Sequence, residues 1–182
     1  MRSIPYLLFI LTMCIQATGW GQTYRAEKES AAITYTMRHP LHVWSGTSKE
    51  VNGLMQMDEN GKIKSVAIIT KVKSFDSENS NRDAHMLEIT DALTFPLVSF
   101  KSNEIITTGM EQVLARGILS FHGKEKTIDV PCSLKKEGKK WIVKGNFEFM
   151  LEDFNITPPS LMLMKTESLV KIGFNASFAE MK

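Results

Sequence analysis

The chain has 182 residues, 43% of them hydrophobic, and a formal net charge of +2. That is enough apolar material for one globular domain with a sizeable core. Near-neutral charge, with no basic cluster carrying interleaved aromatics, excludes nucleic acid as the expected partner. The lysine pairs at 71 and 73, 135 and 136, and 139 and 140 read as solvated strand or turn positions with their stems laid along the surface.

Residues 1–21 carry the pattern of a cleaved targeting segment. Arg2 supplies the positive start, residues 6–15 the apolar stretch, and Ala17-Thr18-Gly19 or Gly19-Trp20-Gly21 the small residues for cleavage. The apolar run is shorter than the roughly 20 residues a membrane-crossing helix needs, so no stable span is expected after cleavage. Leu11-Thr12-Met13-Cys14 resembles a lipoprotein box, but Met13 is bulky where a small residue is required, so lipid anchoring is not expected. The mature domain, residues 22–182, is expected in the periplasm or outside the cell with Cys132 as its one cysteine and no internal disulfide. Cys132 shares the apolar parity of Ile128, Val130 and Leu134, which predicts a buried thiol rather than a nucleophile.

After a polar lead over 22–30, Ile33, Tyr35 and Met37 alternate with Ala32, Thr34 and Thr36, the mark of a half-buried strand. Pro40 breaks it, and 38–46, with His39, His42 and Trp44, reads as a rim or bulge. Val51, Gly53, Met55 and Met57 alternate next, and Asp58-Glu59-Asn60-Gly61 turns the chain with a positive φ at the glycine. Val66, Ile68 and Val72 keep the inward parity opposite Lys71 and Lys73.

Residues 74–102 differ from the rest. A strand end at 72–75 leads through the polar turn Asp76-Ser77-Glu78-Asn79 into a short helix over 81–89. Ser80 is the expected N-cap, and Asp83 suits the positive helix start. Pro96 discourages helix in the residue before it, and 97–102 returns to strand.

Beyond it, Val98 and Phe100 point one way, and Ile105 and Thr107 precede a turn at Gly109. Val113 to Phe121 alternates, His122-Gly123 turns tightly, and 124–134 runs back. Glu137-Gly138 then turns into Trp141, Val143, Gly145, Phe147 and Phe149. Val170, Ile172, Phe174, Ala176 and Phe178 complete the cleanest alternation in the chain. About eight strands at hairpin spacing, each with one buried face, suit a barrel or a sandwich. Interior glycines at 53, 117 and 145 favour the barrel, where a coiled wall needs tight bends. The expected fold is therefore all-β: a closed antiparallel eight-stranded barrel with one short helical insertion.

Arg82-Asp83-X-His85 followed by Phe95-Pro96-X-Val98-X-Phe100-X-Ser102 resembles the signature of the YceI-like, polyisoprenoid-binding proteins. Val113-X-Ala115-X-Gly117-X-Leu119 with His122-Gly123, and Leu151-X-Asp153-Phe154-X-Ile156, extend the resemblance from about Ile33 to the C-terminus. It departs at Asn155, where the family often has glycine, and at His39-Pro40-Leu41-His42. What the resemblance implies is an exported, lipocalin-like barrel without catalytic activity or cofactor. Its apolar tunnel would hold an isoprenoid-type or other long-chain amphiphilic lipid.

On that reading Tyr35, Met55, Ile68, Phe100, Leu119, Phe147 and Phe174 are tunnel wall. Met162, in the methionine-rich Pro158-Pro159-Ser160-Leu161-Met162-Leu163-Met164, belongs to a pliable lip. Arg82, Asp83 and His85 face a headgroup or, alternatively, cap the helix and tie it to the barrel. The rival reading is a solid-cored interaction module that binds a protein through its rim. A homodimer is compatible with either. His39 and His42 are too few for a metal without a third ligand. No Gly-X-Ser-X-Gly, His-Glu-X-X-His or glycine-rich phosphate loop is present, so no enzyme is expected.

Overall fold

The computed structural model describes residues 21–161 and 164–181. Met162 and residues 1–20, which hold Cys14 and nearly all of the expected targeting segment, lie outside the described residues.

The chain runs through β1 (Thr23–Ala26), β2 (Ala32–His39), β3 (His42–Ser48), β4 (Asn52–Met57), β5 (Ile63–Lys71) and one helix, α1 (Ser80–Ile89). It continues through β6 (Leu97–Gly109), β7 (Gln112–Phe121), β8 (Lys124–Glu137) and β9 (Lys140–Met150). The short pair β10 (Ser160–Leu161) and β11 (Met164–Lys165) precedes β12 (Leu169–Glu180). Strands β4 to β9 pair antiparallel in chain order, β9 pairs with β12, β12 with β1, and β1 returns to β4. The result is a closed eight-stranded antiparallel barrel. Strands β2 and β3 prolong the lines of β1 and β4, and Thr47 and Asp76 exchange backbone hydrogen bonds of 2.8 and 3.1 Å that tie β3 to the chain after β5.

Alternation places the apolar side chains inside, and they gather at both ends of the barrel. At the helix end, beneath α1 and the 3-10 turn Leu151–Phe154, Tyr35, Val72, Phe121, Leu151, Phe154, Ile156 and Val170 are buried together. At the far end Tyr24, Met55, Met57 and Phe178 are buried, each 5% exposed or less. Full burial of one such side chain contributes about 1.5–3 kcal/mol. Between the clusters, Ile33, Phe100, Phe147, Ile172 and Phe174 point inward and yet are only half-buried.

The wall bends where the pairing of β6 with β7 shifts between Lys101 and Glu104. Ser102, buried there, donates its hydroxyl to Arg116 O at 2.6 Å and pins the bulge. A Cβ on Gly117 would meet the Lys101 carbonyl and lie 2.7 Å from the Phe100 ring, so no larger residue fits this bend. At the β7–β8 turn both His122 (φ 48°) and Gly123 (φ 68°) are left-handed, the geometry that matches strand twist in a two-residue hairpin.

Four local expectations are corrected. The strand end expected at 72–75 is instead the 3-10 turn Val72–Ser74; the Ser74 hydroxyl donates to the Lys71 carbonyl at 2.7 Å and draws the backbone out of the ladder. The helix begins one residue early, at Ser80, and its cap is Asn79, whose side-chain oxygen accepts from Arg82 N at 3.0 Å. Asn and Ser cap almost equally well, so residue type could not choose between neighbours. The polar lead contains β1, too short to display a period. The rim segment is β3, whose inward side mixes Trp44, Gly46 and Ser48 and so shows no apolar alternation.

Candidate functional site

The half-buried inward side chains face a continuous cavity of about 220 Å³ whose lining is almost wholly carbon. An apolar cavity of about 150 Å³ stays dry and admits benzene. This space is larger, and water in it would find next to no polar partner. It reaches from Met86, Ile89 and Thr90 under α1, past Phe100, Cys132, Phe147 and Phe174, to Met55, Ala176 and Phe178.

Seven residues singled out from the sequence, Tyr35, Met55, Ile68, Phe100, Leu119, Phe147 and Phe174, line it. Period two brings them together from seven strands, because each inward side chain of an antiparallel ring points at the same axis. Val143, Ile172 and Leu134 line it as well and carry the same parity signal. Thr90, Phe75 and Leu151 come from non-strand segments, for which alternation offers no guide. Cys132 is also on this wall, and burial pushes its thiol up to about 11. At neutral pH it is a protonated thiol among aliphatic and aromatic carbon.

Arg82, Asp83 and His85 are not on the wall. Asp83 accepts from the Ser77 hydroxyl at 2.5 Å and from Ser77 N at 3.2 Å. Arg82 donates through Nε to Ser77 Oγ at 2.9 Å and through Nη2 to Ser77 O at 2.7 Å. Ser77 is itself buried. These bonds tie the first turn of α1 to the loop after β5. The Arg82 guanidinium also lies 5.9 Å from the Trp44 ring centre, a cation–π contact that links the helix to β3. His85 points to solvent.

The hydroxyl of Tyr35 is buried without a hydrogen-bond partner among the described residues. Burial first, and then the Asp83 carboxylate, raises its pKa above the usual phenol value. His39 is buried where β2 meets the chain before β12. Its Nδ1 accepts from Leu41 N at 3.3 Å, which leaves Nε2 to donate to Met164 O at 3.2 Å. His42 stacks 5.5 Å away. Among the described residues no group of three or more His, Cys, Asp or Glu side chains is placed to hold a metal, and no helix is long and apolar enough to cross a membrane.

The YceI-like domain family matches residues 24–178, from β1 into β12. The chain belongs to that family. A UPF0312 protein of Vibrio cholerae is 28% identical to this YceI-like chain over 102 residues, 54% of each; the chain spans about half the length of that relative. A UPF0312 protein of Photorhabdus laumondii is 28% identical over 137 residues, 70% of this chain and 71% of its own. Among solved structures, Burkholderia cenocepacia BcnA superposes with a TM-score of 0.76 at 19% identity, covering 84% of this chain and 98% of its own. A polyisoprenoid binding domain from Saccharophagus degradans, implicated in plant cell wall breakdown, superposes at 0.69 with 9% identity, over 87% of this chain and 98% of its own. At those identities the structural likeness is one of fold: the YceI-like barrel.

Proposed function

We propose that this protein is a non-catalytic, exported carrier that holds the hydrocarbon chain of an isoprenoid-type or other long-chain amphiphile inside its barrel. One observation carries the reading: the axis of the barrel is an apolar cavity rather than a packed core. Burying about ten methylenes at about 0.8 kcal/mol each contributes roughly 8 kcal/mol before ordering costs, the scale of micromolar binding. No charged anchor in the wall is needed at that scale. Tyr35, Met55, Ile68, Phe100, Leu119, Phe147 and Phe174 contact the chain. The headgroup stays outside, beside α1, where His85 is exposed.

The family match and the polyisoprenoid-binding relative support a lipid ligand, and the targeting pattern of residues 1–21 supports a periplasmic or secreted location. A protonated thiol in an apolar wall is a poor nucleophile, in keeping with a binding role. The test is organic extraction of the purified protein followed by mass spectrometry. A co-purifying prenyl or fatty chain is expected. Empty protein that also fails to take up an added long-chain amphiphile defeats the reading.

A further inference from the structure

The two ends of the cavity are built differently. At the far end its lining side chains, Met55, Ala176 and Phe178, belong to a buried cluster backed by Tyr24 and Met57, so the cavity ends against packed core. At the other end it stops at α1, a helix of ten residues none of which is fully buried, held by Met86, Ile89 and the Ser77 clasp. A side chain in packed core yields only at the cost of a cavity elsewhere, whereas a half-buried helix moves with little loss.

We infer that the barrel is a blind well that measures its ligand: the chain enters tail-first beneath α1, and Phe178 with Met55 forms the floor where the tail stops. This rests on the carrier reading and assigns it a direction and a length. The measure is written along β12, where Val170, Ile172, Phe174, Ala176 and Phe178 all line the cavity on alternate positions. Eight residues separate the first rung from the last. At about 3.4 Å per residue and a strand tilt of about 40°, the levels lie roughly 20 Å apart along the axis. With carbon–carbon bonds of about 1.5 Å, an extended chain advances about 1.25 Å per carbon, so the well takes about sixteen carbons. Carbons beyond that remain at the helix end with the headgroup.

The test is a series of straight-chain fatty acids of about 10 to about 24 carbons competing with a fluorescent fatty acid. Affinity in the native protein is expected to rise up to about fourfold per added carbon while the tail still has room. It flattens near about sixteen. Phe178→Ala lowers the floor and moves that break about three carbons longer. Ala176→Leu, one rung up, moves it about two carbons shorter, and this variant guards against a misfolded floor mutant; circular dichroism checks both. A break that stays in place in both folded variants, or an affinity that climbs through about 24 carbons without one, overturns the floor while leaving the carrier standing. Failure of every chain length to compete overturns the carrier and the floor with it.

Discussion

The Asp83 carboxylate and the Ser77 hydroxyl meet at 2.5 Å, across the turn that leads from β5 into α1. Ser77 is buried and Asp83 half-buried, so this contact is partly shielded from solvent although α1 itself has no buried residue. The helix over the cavity is therefore held chiefly by a polar clasp and only weakly by burial. Removing the acceptor leaves the Ser77 amide and hydroxyl without one, at a cost of about 1–3 kcal/mol. Asp83→Ala is expected to lose that much in urea unfolding and to speed amide exchange in α1 ahead of the strands. Unchanged exchange in α1 would show that apolar contacts alone seat the helix.

Tyr35 offers the opposite case. Its hydroxyl is buried without a partner among the described residues, so Tyr35→Phe keeps the ring against Phe75 and discards a group those residues leave unsatisfied. Stability is expected to hold or to rise by up to about 1 kcal/mol in chemical denaturation. A loss of that size would mean that the hydroxyl has a partner after all.

Acid acts on the barrel seam through Glu27. The Lys140 ammonium, 2.8 Å away, and then the Ser177 hydroxyl hold its carboxyl below the ordinary value of 4.5. A depressed folded pKa means that the unfolded chain binds the proton first. The contribution is whole above about 4.5 and is lost as pH falls through the lower, folded value. Lys140→Ala should lower the melting temperature at neutral pH, where the contribution is whole, and flatten its fall with pH in that window, so that the two proteins converge at low pH. An identical slope in the variant would remove the pair from the acid response.

Cys132 is expected to resist alkylation in the native protein. With its thiol pushed up to about 11 and its side chain on the cavity wall, little thiolate exists at pH 8 to react with iodoacetamide. Labelling should accelerate sharply in denaturant and slow further when a long-chain amphiphile fills the cavity. Fast labelling of native protein would reveal a water path to the middle of the barrel.

How much of this could be read in advance follows from where the physics is local. Val170 to Phe178 announced itself because every second residue must face one axis, and the same rule set seven wall residues without any knowledge of their neighbours. No alternation marks the strand β3, because Gly46 and Ser48, both buried, are not apolar: one yields its space to the Tyr35 ring, and the other joins a hydroxyl cluster with Thr70 and Ser74. Those are tertiary reasons, invisible to a pattern. The role of Arg82 and Asp83 is open in the sequence for a related reason. Two charged residues beside a helix start suit a cap, a clasp or a ligand contact, and only the position of Ser77 six residues before Asp83 gives their polar atoms an occupation.

Barrel closure depends on β1, four residues near the start of the chain, clasped between β4 and β12. The borders of that seam, Thr23–Ala26 and Leu169–Glu180, stand far apart in sequence, so the ring shuts only when distant stretches of chain are brought together. Contacts of such wide separation form slowly. Until that meeting the sheet is an open ribbon, and the twelve-residue strand β12, paired with β9, β1 and β2 alike, acts as the keystone.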